Sequence, residues 1–164
     1  MAPIQSDIFT ALRAFIQGLI TTEVIQGLGN GTPMPLGSFI SMTAINQSRL
    51  ATNIDAYIDP KPAAGSKSIQ QQTKYTIQLD CYGPLSSDWA NILSAVFRDE
   101  YACIALAPNI QPLYADDPVM SPLIDGEQQY EQRWIVNAVI QYNPVLLTPM
   151  QFADVININN IISF

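Results

Sequence analysis

The only acidic cluster dense enough to suggest a metal site lies in the last third of the chain. Its members are Asp116, Asp117, Asp125 and Glu127. Carboxylate oxygens are the ligands that Ca²⁺ and Mg²⁺ prefer in proteins. The spacing lacks the rhythm of an EF-hand loop, however, and Pro118 and Pro122 interrupt the run. We therefore expect a solvated loop in this segment and no metal site.

Three glycines near the N-terminus have the residue type that cradles a phosphate. They are Gly27, Gly29 and Gly31, in the segment GLGNGTPMPLG. Their spacing is not GxGxxG, and Thr32 and Pro33 stand where the helix of a phosphate-binding loop should begin. We expect a connecting or contact loop, with no bound cofactor and no small-molecule substrate.

The residues that support nucleophilic catalysis are scarce. The chain has no histidine, which removes Ser-His-Asp and Cys-His arrangements as well as zinc sites built on imidazole. Cys81 and Cys103 belong to no CxxC motif, so we expect two buried free thiols. The sequence therefore predicts no catalytic residues, and we expect a protein that is not an enzyme.

The chain is acidic and poor in charge. Its formal net charge is −7, and charged residues make up 13% of the sequence, about half the usual fraction. The basic residues are scattered, which argues against specific nucleic-acid binding. A surface of this kind suits a subunit that lies against neighbours, and its negative charge would let DNA slide past without sticking.

Neither a membrane span nor a secretion signal is apparent in the sequence. No apolar run approaches 18 residues, and the N-terminus lacks a basic start. We expect synthesis in the cytoplasm and no membrane association.

The N-terminal half contains a helix pattern followed by strand patterns. Apolar spacings of three and four predict a helix over residues 6–20, with Ser6 as its N-cap. Two runs, FISMTAIN and RLATNIDAYI, predict a hairpin over residues 39–58. Residues 59–72 contain two prolines, a glycine and two lysines, so we expect an exposed, mobile loop.

Strict alternation predicts a half-buried strand over residues 75–82. Ser86 or Ser87 is expected to cap the helix that follows, with Trp89 anchored in the core. Asp99 and Glu100 lie near the C-terminal end of this helix, where their charges oppose the helix dipole.

The C-terminal part predicts further strands. We expect a short strand around residues 113–114, a loop over residues 115–129, and a long strand over residues 134–142. Because the long strand is apolar on both faces, it should lie in the centre of a sheet. Pro144 and Pro149 end it, and an apolar tail with asparagines follows. A chain of 164 residues with this mixture fits one α and β domain, residues 1–164.

The block from Tyr75 to Tyr142 resembles the terminator proteins that close the neck or tail of a bacteriophage. Four segments carry the resemblance, and a fifth near the N-terminus extends it more loosely. They are LDCYG (79–83), SSDWANILSAVFRDE (86–100), IQPLYADDP (110–118), EQRWIVNAVIQYNP (131–144) and DIFTALRAFI (7–16).

This resemblance implies an α+β fold, a twisted and mostly antiparallel sheet with two main helices packed on one face. It also implies a structural protein of the virion, made in the host cytoplasm and located in the tail or neck. Such a protein forms a ring, usually of six copies, that terminates the tail tube and joins it to the neck. Its partners would be further copies of the chain, the tube protein and neck or connector proteins, while DNA passes through an acidic lumen.

Other functions remain open from the sequence. One is a different phage subunit, in tail completion, the baseplate or the head-tail connector. A second is a small divalent-metal-dependent hydrolase that uses the acids of residues 116–127. A third is a monomeric binding domain.

Overall fold

The computed structural model describes residues 4–27, 34–59, 64–106, 109–124 and 130–153. Its helices are α1 (Ile4–Leu19), α2 (Ser86–Val96) and α3 (Glu100–Ala105). Its strands are β1 (Glu23–Gln26), β2 (Phe39–Arg49), β3 (Ile54–Ile58), β4 (Gly65–Gln70), β5 (Thr73–Tyr82), β6 (Ile110–Ala115), β7 (Val119–Met120), β8 (Leu123–Ile124), β9 (Tyr130–Glu131), β10 (Arg133–Tyr142) and β11 (Val145–Met150).

The main sheet has the strand order β1-β2-β5-β10-β6, with β7 also paired to β10. The β1–β2 pair is parallel, and the other pairs of this sheet are antiparallel. In the central pair, Thr73 lies opposite Tyr142 and Tyr82 lies opposite Arg133. The expected mostly antiparallel sheet and the central position of the long strand are confirmed.

The hydrophobic core lies between one face of this sheet and the helices. Alternate residues of β5 and β10 point into it, because successive side chains of a strand face opposite sides. The strands contribute Ile40, Met42, Tyr75, Ile77, Leu79, Cys81, Val136, Ala138, Ile140 and Tyr142, and α1 and α2 contribute Ile8, Leu12, Phe15, Ile16, Ala90 and Leu93. Trp89 was expected to be anchored in the core, but it is only partly buried and packs against the edge of the core.

The predicted hairpin over residues 39–58 is wrong. Strand β2 pairs with β1 and β5, and β3 pairs with β4. Both runs do form strands, but alternation does not say which strand is the partner. The predicted loop over residues 59–72 is wrong as well, because residues 65–70 form β4, which has a strand on each side.

Three predictions about helix ends also need correction. Ser6 does not cap α1, because the helix already includes Ile4 and Ser6 lies inside it. Neither Ser86 nor Ser87 caps α2. The N-cap is Leu85, and no side chain there accepts a hydrogen bond from the first backbone N–H groups of the helix. The conflict at Asp99 and Glu100 disappears, since α2 ends at Val96 and Asp99 is the N-cap of α3. Its Oδ1 accepts a hydrogen bond of 2.8 Å from the backbone N–H of Tyr101. Here the negative charges of Asp99 and Glu100 are stabilised by the positive N-terminal end of the α3 dipole.

Replacing Asp99 with alanine should therefore lower the free energy of unfolding by about 1 kcal/mol, the usual contribution of an N-cap. Asp99→Asn is the matched control, because asparagine caps helices about as well as aspartate. Urea unfolding followed by circular dichroism measures both variants. Equal losses in the two variants would contradict the capping role.

Candidate interaction surface

The three central strands of the main sheet continue past short breaks into a second sheet. Along the chain, β2 leads into β3, β4 leads into β5, and β10 leads into β11. The second sheet therefore keeps the order of the first, with β4 between β3 and β11 as β5 lies between β2 and β10. Backbone hydrogen bonds bridge the breaks, from Leu50 N–H to Gln72 O at 2.9 Å and from Gln71 N–H to Pro144 O at 3.1 Å. We call β3, β4 and β11 the arm.

The arm has no hydrophobic core of its own. All of β3 is exposed, and so is β11 except at Thr148. The main core cluster contains no arm residue. Strands β4 and β11 have six residues each and so extend about 20 Å. Large apolar side chains are exposed along the arm, namely Ile54, Tyr57, Ile58, Val145, Leu146, Leu147 and Met150. An apolar patch of this kind typically marks a surface that another protein covers.

Strand register divides the arm into two faces, because residues directly opposite each other point to the same side. One face has no charged residue, and we call it the neutral face. It consists of Ile54, Ala56, Ile58, Ser66, Ser68, Gln70, Val145, Leu147 and Pro149. The other, the charged face, consists of Asp55, Tyr57, Lys67, Ile69, Leu146, Thr148 and Met150, with Gly65 at its end.

Side chains on the charged face contact one another. Lys67 Nζ lies 2.7 Å from Asp55 Oδ2 and 5.6 Å from the centre of the Tyr57 ring. The hydrogen bond to Asp55 raises the pKa of Lys67. At the end of this face, the ring of Phe152 occupies the space where a Cβ of Gly65 would lie. The charged face is thus partly filled by its own chain.

A second polar cluster lies at the opposite end of β5, on the sheet face away from the helices. Arg133 donates to Asp80 Oδ1 from Nη2 at 2.8 Å and from Nε at 3.1 Å. Gln78 Nε2 donates to both carboxylate oxygens of Asp80, at 2.8 and 3.0 Å. A pocket of about 370 Å³ opens beside the buried Asp80 and the half-buried Arg133. The ion pair and the Gln78 hydrogen bonds hold the Asp80 carboxylate in a fixed position on this face.

The two described acidic residues that were considered as metal ligands, Asp116 and Asp117, interact with different side chains. Asp117 Oδ1 lies 2.8 Å from Arg98 Nη2, whereas Asp116 Oδ2 accepts a hydrogen bond of 3.3 Å from Asn137. Asp125 and Glu127 lie outside the described residues. Within the described ranges, no group of three histidine, cysteine or acidic residues could hold a metal ion. Gly29 and Gly31 also lie outside the described residues.

The two cysteines differ in exposure. Cys81 is buried, as expected, but the prediction for Cys103 is wrong, because it lies on the exposed side of α3. Burial, together with the nearby Asp80 carboxylate, raises the pKa of Cys81 from 9.0 to about 12. Because the folded state holds the Cys81 proton more tightly than the unfolded chain does, the protonated thiol contributes to the free energy of unfolding. This contribution is fully present below pH 9 and is lost as the pH rises toward 12.

At pH 8, a thiol reagent such as Ellman's reagent should modify one cysteine per native chain quickly. The reactive form is the thiolate, which burial suppresses at Cys81. Cys81 should react only after unfolding in guanidinium. In the Cys103→Ser variant the fast reaction should disappear, and a fast reaction that persisted there would show that Cys81 is accessible.

The sequence predicted neither that β3, β4 and β11 pair into one sheet nor that Asp80 pairs with Arg133. The exposed apolar residues of β3 alternate in the sequence, but nothing there indicates that both faces stay uncovered. The pair joins residues 53 positions apart, which only the β5–β10 register brings together.

Comparison with protein families gives one match of nearly full length. The model of the phage neck terminator protein family matches residues 6–163. None of the curated proteins matches the chain significantly. Among the described residues, no helix is long and apolar enough to span a membrane.

Proposed function

Because the chain belongs to the phage neck terminator family and so has a structural role in the neck and tail of the virion, we propose that it assembles into a ring. The ring contains six copies, ends the growing tail tube and joins it to the neck. It assembles in the host cytoplasm, and DNA passes through its lumen without specific binding.

The observation that carries the proposal is the arm. A three-stranded sheet that exposes large apolar side chains on both faces is poorly suited to water, and its outer strands β3 and β11 have no further strand beside them in the described part of the chain. Contact with another subunit covers such a surface. A ring of more than two identical copies closes through heterologous contacts, in which two different surfaces of the subunit meet.

Charge supports passage of DNA through the ring. Lys67, Arg98 and Arg133 each lie in an ion pair with an aspartate, so their charges are locally neutralised. Each copy has a formal charge of −7, so six copies together carry −42. The part of this charge that faces the lumen repels DNA within about 8 Å at physiological salt.

The proposal is tested with the purified protein, by light scattering after size exclusion and by negative-stain images. We expect a mass of six copies and ring-shaped particles, which bind tube protein in a pull-down. Compact monomers at high concentration, even with tube protein added, would refute the ring.

The same pull-down separates the ring at the tube end from a connector at the capsid. Capture of portal protein without tube protein would place the subunit on the capsid side. For the DNA, we expect no retention of duplex on the ring at physiological salt.

A further inference from the structure

The two faces of the arm differ in how much contact they already make. On the charged face, Lys67 contacts Asp55 and Tyr57, and Phe152 covers Gly65. On the neutral face, β4 contributes the uncharged polar residues Ser66, Ser68 and Gln70. They lie between two apolar rows, Ile54, Ala56 and Ile58 on β3 and Val145, Leu147 and Pro149 on β11. The neutral face therefore presents exposed apolar side chains without any charged group among them.

Charge is distributed unequally between the arm and the rest of the chain. The arm strands contain one acidic residue, Asp55, and one basic residue, Lys67, which pair with each other. The whole formal charge of −7 therefore lies outside the arm strands. Acidic bodies repel one another, whereas a neutral surface approaches an acidic body without like-charge repulsion and without burying an unpaired charge.

We propose that the neutral face of the arm is the surface that holds the ring together, by docking on the body of a second copy of this chain. This inference rests on the proposed function. The second copy contributes its body rather than its arm, because an arm-to-arm contact through the same face is isologous and closes with two copies. The charged face does not take part in this contact.

Two neighbouring leucines give a matched test. Leu147 lies on the neutral face and is 62% exposed, while Leu146 lies on the charged face and is 50% exposed. Leu147→Ser should weaken self-association by at least about tenfold, the effect of removing a central apolar contact worth 1.4 kcal/mol. Leu146→Ser should leave the mass of the assembly unchanged. Since both side chains are exposed, both variants should fold and keep the wild-type circular dichroism spectrum.

A cysteine variant tests whether the arm of one copy contacts the arm of the next. In a Cys103→Ser background, Leu147→Cys should give no disulfide-linked dimer when the assembled protein is oxidised. Efficient cross-linking of this position to itself would show that arms meet arms and would overturn the inference.

The outcomes separate this inference from the proposed function. If the wild type forms no ring, the proposed function fails. If the wild type forms a ring that Leu147→Ser leaves intact, only the inference fails. A Leu147→Ser ring that no longer binds tube protein would likewise overturn it, because the neutral face would then belong to the tube.

Discussion

Replacing Phe97 with alanine is expected to lower the free energy of unfolding by about 3–5 kcal/mol, the usual cost of removing a buried aromatic ring. Phe97 follows α2 and is 2% exposed. Its ring contacts that of Phe15 edge to face, with the centroids 5.5 Å apart, so it joins α1 to α2. Alanine would leave a cavity between two helices that neither can fill alone.

Urea unfolding of the Phe97→Ala variant measures this loss. Leu113→Ala is the control, because Leu113 is 41% exposed on β6 and its truncation should cost less than about 0.5 kcal/mol. A loss at Phe97 as small as that at Leu113 would show that Phe97 does not join α1 to α2 in this way.

The second large effect is expected at the ion pair between Arg133 and the buried Asp80. Asp80→Ala should lower the free energy of unfolding by about 3 kcal/mol, because it leaves the Arg133 guanidinium and the Gln78 amide without their acceptor. The side chains of Asp80 and Arg133 are 5% and 23% exposed, so the positive charge that Asp80→Ala leaves without its partner is largely buried.

Asp117→Ala is a closely matched comparison. Asp117 accepts from Arg98 at the same distance, 2.8 Å, but its side chain is 88% exposed. Exposed ion pairs contribute about 0–1 kcal/mol, so this variant should unfold almost as the wild type does. Equal losses at Asp80 and Asp117 would mean that burial does not strengthen the inner pair.

Elements that carry their own pattern could be predicted from the sequence. The alternation of residues 75–82 and the helical spacing of residues 6–20 correspond to β5 and α1, with shifts of one or two residues at their ends. The same holds for the long strand β10, whose apolar residues on both faces indicated a central position. In these segments, the residues that define the element also bury it.

The arm could not be predicted in the same way. Strand β4 has the sequence GSKSIQ, which lacks a run of strand-forming residues. It is a strand because β3 and β11 supply hydrogen bonds on its two sides. Pairing of this kind depends on residues far along the chain, as it also does for the Asp80–Arg133 pair.

The acidic residues that follow α2 show how a helix boundary was missed in the sequence. Asp99 conflicts with one long helix but suits a chain that ends one helix and begins another. A pattern that is unfavourable for a predicted element can thus mark a missed boundary. The family, in contrast, could be recognised from the sequence, because its resemblance rests on β5, α2 and β10.

The most direct test of the central claim is the length of tail tubes made in infected cells when the gene for this chain is inactivated. We expect tubes of variable and excessive length that are not joined to capsids, and normal tails after the wild-type gene is supplied in trans. Tails of normal length joined to filled capsids in its absence would contradict a role in terminating the tube.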